Sequence, residues 1–181
     1  MRIVIIGSVA GGTSAAAKAR RNSEEHEIVI YDMDSDISYA GCGLPYYIGE
    51  DYITREDITP RNSAWFKKRF NIDIFTGHLV TEISTENKTL SVKNILTGRI
   101  IYDAYDKLVI STGAKPFIPA IPGIENNNVF PLRNVRNADN ITKFIHGKQP
   151  QKALIIGAGF IGLEMADNLS HLGISVTLIE S

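Results

Sequence analysis

Residues 38–50, SYAGCGLPYYIGE, contain Cys42, the only cysteine in a chain of 181 residues. Gly41 and Gly43 flank the thiol, and Pro45 and two tyrosines follow it. Flanking glycines do nothing for a packed core, but they let another molecule approach closely. The run GLPYYIGE reads as a helix that Ser38 or the glycines cap, which sets Cys42 in the first helical turn. A thiol there faces the positive end of the helix dipole, and the thiolate so favoured is a nucleophile. A buried small hydrophobe is the ordinary alternative for one intracellular cysteine, and the two glycines weigh against it. The chain cannot close an internal disulfide, which fits a reducing compartment and a cytoplasmic location.

Two glycine-rich turns belong to the elements that must position this thiol. RIVIIG, GSVAGG, TSAAAKARR and EIVIYD compose a βαβ unit: an apolar strand suited to a parallel sheet, a turn, a strong helix former and a second strand. Gly7 permits the tight turn, Gly12 lets the helix pack on the strand, and the N–H groups at the helix start can hold a pyrophosphate. Asp32, twenty residues after Gly12, falls at the strand tip, where a carboxylate accepts hydrogen bonds from a ribose. Val9 replaces the middle glycine of G-x-G-x-x-G. The pattern recurs in KALIIGAGFIGLEMADNLSHLGISVTLIE, with Gly157, Gly159 and Gly162 all present, a helix over 160–172 and a second strand ending at Glu180. Two such units imply two nucleotide cofactors that exchange electrons, with Cys42 near the first. The second unit has only two strands, so the chain is expected to be the N-terminal portion of a larger protein.

Residues 53–70 read as a loop and then a helix from about Pro60, with Trp65 and Phe66 inward and Lys67, Lys68 and Arg69 on a solvated face. IDIFTG, LVTEIS, TLSVKNI and GRIIYD, broken by TENK and LTG, read as an antiparallel meander. YDKLVISTGAKP follows as a strand ending at Thr112 and Gly113, Pro116, Pro119 and Pro122 make a connector, and VFPLRNVRNADNITKFI reads as a crossing strand and a helix. The expected fold class is α/β: a Rossmann-like parallel sheet with helices and an antiparallel meander, followed by the start of a second dinucleotide-binding fold. The expected domains are 1–115, 116–149 as connector and crossing segment, and 150–181. Nineteen basic against twenty acidic residues leave no electrostatic footprint for nucleic acid or an acidic membrane. No apolar run approaches the roughly 20 residues of a membrane span, and no metal site is expected.

GSVAGG, SYAGCGLPYYIGE, STGAKP, FPLRN and IIGAGFIGLE, in this order along the whole chain, resemble the FAD-dependent pyridine nucleotide-disulfide oxidoreductases. Within them the chain resembles the single-cysteine branch of coenzyme A-disulfide reductases and NADH oxidases or peroxidases. The resemblance implies FAD on the first unit, with phosphate contacts from Gly7, Ser8, Val9, Ala10, Gly11 and Gly12 and ribose contacts from Asp32. Ser111, Thr112, Gly113 and Arg133 are implied as further flavin contacts. It implies NAD(P)H on the second unit, at Gly157, Gly159, Phe160, Ile161, Gly162 and Glu180. The Glu180 carboxylate favours NADH, because it pairs with a ribose hydroxyl and repels a 2′-phosphate. Cys42 is implied as the redox nucleophile. Tyr47 occupies the second position of the C-x-x-x-x-C pair of other members, so the oxidised state is a mixed disulfide with a small thiol or a sulfenic acid.

Ala10 stands where oxidases and peroxidases of this branch carry a histidine, and the loop CGLPYYIG is similar to the reductase version. Both point to coenzyme A disulfide as the substrate. The implied coenzyme A contacts are Ser14, Lys18, Arg21, Ser38 and Gly41. Lys18 and Arg21, three apart, share a helix face and can grip phosphates. The implied assembly is a homodimer acting on a small-molecule disulfide. An NADH oxidase or peroxidase working through a cysteine sulfenic acid, and a non-catalytic thiol sensor, remain the alternative readings.

Overall fold

The computed structural model describes residues 1–180. The chain runs through β1 (Arg2–Ile6), α1 (Gly11–Asn22), β2 (Glu27–Tyr31), α2 (Leu44–Gly49), α3 (Arg55–Ile58), α4 (Ser63–Phe70) and β3 (Asp73–Phe75). It continues through β4 (His78–Ser84), β5 (Thr89–Asn94), β6 (Ile100–Ala104) and β7 (Lys107–Ile110), then α5 (Val135–Lys148), β8 (Lys152–Ile156), α6 (Phe160–His171) and β9 (Ser175–Ile179). Two compact units result: Met1–Tyr39 joins Thr59–Ala114, and Ala40–Ile58 joins the chain from Lys115 onward. No helix among the described residues is long and apolar enough to cross a membrane.

The first unit is built on a parallel sheet in the order β3-β2-β1-β7. Its strands are apolar without alternation because both faces are covered. Ile3, Ile5, Ile28 and Ile30 pack with Ala16, Phe66 and Ile72 on the helical side, whereas Val4, Val29 and Tyr31 pack with Leu90 and Val92 of the meander on the other. The meander is therefore the second lid of the sheet. It has three strands, β4-β5-β6, rather than the four expected, because the IDIF segment pairs parallel with β2 instead, Val29 opposite Asp73 and Tyr31 opposite Phe75. Ile72, fully buried at the entry to β3, ties that strand to the helical side of the core. Arg2 clamps the meander to β1: its Nε and Nη2 donate to the two oxygens of Asp103 at 3.1 and 2.7 Å, and the Tyr31 hydroxyl donates to the same carboxylate at 2.8 Å. Burial and this bond raise the Tyr31 pKa, so the phenol stays a donor.

Helix α4 starts at Ser63, with the Asn62 side chain accepting from Trp65 N–H at 2.9 Å, and the preceding stretch holds the short α3 in place of a plain loop. Phe66 is buried as expected, but Trp65 turns outward at 37% exposure with the Arg61 guanidinium 4.7 Å from its ring centre. Adjacent helical positions point about 100° apart, and here the Phe66 direction meets the core while Trp65 packs at its edge. Residues 129–134 form no strand. Pro131 lacks the N–H a strand ladder needs, and Asn134 instead starts α5 through a capping box with Asn137.

Arg20, absent from the sequence reading, is 4% exposed and donates to the carbonyls of Ser23, Glu24, Phe70 and Asn71 at 2.6 to 3.3 Å. These oxygens lie at the C-terminal ends of α1 and α4, where helix carbonyls lack partners within the helix. Arg20→Met keeps the stem and strands those acceptors, so it should cost about 2–4 kcal/mol. Chemical denaturation read through the fluorescence of Trp65, on α4, checks this; a loss under about 0.5 kcal/mol would reduce Arg20 to an ordinary surface residue.

Candidate functional site: two dinucleotide turns and a thiol turn

The first turn packs so closely that its glycines leave no room for a side chain. Gly7 has φ +100°, and a Cβ on it would lie 2.1 Å from the Ser111 carbonyl oxygen. A Cβ on Gly12 would lie 1.8 Å from the Gly7 carbonyl oxygen. Ser111, leaving β7, donates its N–H to Ile6 at 2.8 Å and so closes the turn from the neighbouring strand. Ser8 is fully buried, and both its N–H (2.7 Å) and its hydroxyl (2.6 Å) donate to Asp32 Oδ2. Asp32 Oδ1 accepts from Asp34 N–H at 2.9 Å. The carboxylate is thus held at the tip of β2, beside the turn. Ser38, in the left-handed region at φ +50°, donates its N–H to the Ser8 carbonyl at 3.0 Å. Helix α1 has no side-chain cap and no acid in its first turn, which leaves its N–H groups for an anion.

Beside the C-terminal ends of β1 and β7 lies a cavity of about 220 Å³ lined by Ile6, Ile110 and Thr112 together with Val80, Thr81, Glu82 and Ile83. The crevice at the carboxyl ends of parallel strands is where such sheets bind nucleotides. The four β4 residues were not legible in the sequence. A register shift between Val80 and Glu82 puts an irregularity in that strand, and bulges of this kind re-aim side chains at strand ends. Ser14, Lys18 and Arg21 are exposed on one face of α1, spaced four and three residues apart.

The second unit repeats the backbone pattern of the first turn. Gly157 has φ +107°, its N–H donates to Ile179 at 2.9 Å, and a Cβ on Gly162 would fall 2.0 Å from the Gly157 carbonyl. The corresponding bond from Gly7 goes to Tyr31, also at 2.9 Å. Ala158 N–H donates to Glu180 at 2.5 Å, as Ser8 N–H does to Asp32. Helix α6 is likewise uncapped by a side chain and free of acids in its first turn. A Cβ on Gly159 would meet nothing within 4 Å. Packing therefore does not demand glycine at the middle position, which explains why the first turn folds with Val9 there.

Cys42 is exposed and free, and it lies in a 3₁₀ turn, Gly41–Gly43, that runs directly into α2. This corrects its placement in the first turn of the helix itself: Gly43 is the cap, and Ser38 lies outside it. The turn is anchored by Ala40 N–H donating to Ile58 at 2.8 Å. Tyr47, five residues on, donates its hydroxyl to Asp139 of α5 at 2.9 Å, and Arg55 Nε pairs with the other Asp139 oxygen at 3.3 Å. Burial first and the Asp139 bond second raise the Tyr47 pKa. The position of a second cysteine is thus taken by a tethered phenol. Gly41, Cys42 and Arg133 belong to the second unit, whereas Ser14, Lys18, Arg21, Ser38, Thr112 and Gly113 belong to the first.

The family model of the pyridine nucleotide-disulphide oxidoreductases matches residues 1–181. Coenzyme A disulfide reductase of Staphylococcus haemolyticus is 39% identical over 178 residues, 98% of this chain and 40% of that protein. The crystal structure of reduced Bacillus anthracis CoADR-RHD superposes with a TM-score of 0.95 at 47% identity, covering 99% of this chain and 32% of that one. An NAD-dependent persulfide reductase from A. fulgidus follows with a TM-score of 0.93 at 38% identity, over 98% of this chain and 34% of that one. The chain thus spans about 40% of the length of the curated relatives it matches. A flavin- and pyridine-nucleotide-type Rossmann turn, its repeat and a single exposed cysteine occur together in a sequence matched from end to end: the chain belongs to the pyridine nucleotide-disulphide oxidoreductase family.

Proposed function

We propose that the chain supplies the flavin turn, the nicotinamide turn and the redox thiol of an NADH-dependent coenzyme A-disulfide reductase. The observation that carries this reading is the exposed, solitary Cys42 with Tyr47 tethered to Asp139 at the position of a second cysteine, so that only a disulfide brought from outside can react. FAD, when bound, supplies the two-electron relay between nicotinamide and thiol. The residues that would hold it are the Gly7–Gly12 turn, Asp32, Ser111, Thr112, Gly113 and Arg133. The turn fits such a group, because Gly7 and Gly12 let strand, turn and helix pack backbone against backbone, and the uncapped α1 N–H groups await an anion.

The Cys42 thiolate attacks one sulfur of coenzyme A disulfide, forming a Cys42–coenzyme A mixed disulfide and expelling one coenzyme A thiolate. Two electrons and a proton drawn from NADH then cleave that bond, releasing the second coenzyme A and restoring the thiolate. Lys18 and Arg21 offer charge to substrate phosphates, with Ser14 on the same face and Ser38 and Gly41 as the further contacts. Gly157, Gly159, Phe160, Ile161 and Gly162 would hold the nicotinamide nucleotide. Glu180 selects NADH over NADPH by repelling a 2′-phosphate.

The test is the intact mass of Cys42 in the oxidised full-length protein, with the kcat/KM values of the two nucleotides measured alongside. A coenzyme A adduct that NADH removes, and a preference for NADH of about tenfold or more, are expected. One or two added oxygens would shift the reading to an oxidase or peroxidase, and an unmodified thiol that never turns over would shift it to a sensor.

A further inference from the structure

Asn168 is a buried polar residue that the chemistry above leaves unused. It sits on α6, is 2% exposed, and donates its Nδ2 to the Glu164 carbonyl at 2.8 Å. Only the amide nitrogen can donate, so that bond fixes the orientation of the amide. The oxygen, Oδ1, is buried with no hydrogen-bond partner among the described residues. It faces Gly49, the last residue of α2: a Cβ there would lie 2.4 Å from Asn168 Oδ1 and 2.5 Å from its Cβ. Both partners are locally unfavourable choices, an acceptor left dry and a glycine inside a helix. An alanine paired with a smaller neighbour would pack as well. What this pairing achieves is a close approach of two helices.

Helix α2 is continuous with the turn that carries Cys42, and α6 begins at the second glycine turn. The Tyr47–Asp139 bond holds α2 a second time, on α5. Asn168 lies eight residues beyond Phe160, about 12 Å along a rigid rod. Its packing against Gly49 leaves no slack, and close-packed contacts transmit small shifts.

We propose that Asn168 is a positioning residue: through Gly49 it seats the cysteine helix on α6, so that filling the Gly157–Gly162 turn changes the reactivity of Cys42. The inference rests on the reading of Cys42 as the reactive thiol and of the second turn as a dinucleotide site, but not on coenzyme A disulfide as the substrate.

The experiment uses the full-length flavin-loaded protein with Cys42 freed by a phosphine and desalted. The probe is ADP-ribose, which offers a pyrophosphate to the turn but has no nicotinamide to reduce the flavin or reach the thiol. Saturating ADP-ribose should change the rate of Cys42 alkylation by iodoacetamide about fivefold. Asn168→Ala should bind ADP-ribose within about threefold of wild type while losing that rate change. Gly49→Ala, which presses on the same contact from the other side, should lose it too. An alkylation rate indifferent to ADP-ribose in wild type, or full retention of the effect in Asn168→Ala, would overturn the proposal. Because no arm uses coenzyme A disulfide, failure to reduce that substrate would leave these outcomes intact and would count against the substrate assignment alone.

Discussion

Cys42→Ser in the full-length protein is expected to lower coenzyme A disulfide reduction by about a thousandfold or more, while NADH still bleaches the flavin absorbance at the wild-type rate. The substitution replaces one atom in an exposed 3₁₀ turn, so stability should hardly change. What disappears is the nucleophile, since a hydroxyl does not ionise near neutral pH and cannot exchange with a disulfide. No neighbour can stand in. Tyr47 is engaged with Asp139, and burial together with that bond disfavours its phenolate. Rapid mixing separates the two half-reactions. Wild-type turnover in the serine variant would remove Cys42 from the chemistry, and equal loss of flavin reduction would mean that the substitution had disturbed more than the thiol.

Gly12→Val should be the most damaging single substitution in the first turn. Its Cβ would fall 1.8 Å from the Gly7 carbonyl oxygen and 3.2 Å from Ile5 Cγ2, both on the rigid strand–turn segment. Helix α1 would have to lift from the sheet, opening the core where Ala16 packs against Ile5 and Ile30. A loss of about 3 kcal/mol or more, with purification of a colourless protein, is expected. The contrasting variant is Gly159→Ala. A Cβ there meets nothing within 4 Å, and φ −68° with ψ 174° suits alanine. It should leave the melting temperature within about 2 °C of wild type and weaken only nucleotide binding at the second turn. A stable, yellow Gly12→Val protein would contradict the packing geometry, as would a Gly159→Ala protein that fails to fold.

Both glycine turns, the acids that end their second strands and the solitary thiol were legible in the sequence. Each rests on local chemistry: the left-handed backbone at Gly7 and Gly157, the Cβ exclusion at Gly12 and Gly162, and strand runs that are apolar because both sheet faces are covered. The retained α/β class with its antiparallel meander follows from the same patterns. What the pattern misassigned depended on partners distant in the chain. The IDIF segment has strand chemistry whichever neighbour it takes, and only the three-dimensional arrangement paired it with β2 instead of the meander. Trp65 and Phe66 are equally apolar, and the direction of α4 decided which of them turned inward.

Arg20, Val80 to Ile83 and Asn168 carried no local signal at all. A basic residue in a helix reads as solvated until the ends of two helices converge on it. A strand irregularity is invisible until its partner is in register, and a helical asparagine shows its cost only once Gly49 is seen against it. The sequence by itself determined the chemistry available to this protein, because turn geometry and thiol reactivity are properties of a few adjacent residues. Tertiary structure alone decided which groups restrain that chemistry, because burial and hydrogen-bond satisfaction depend on atoms far apart in the chain.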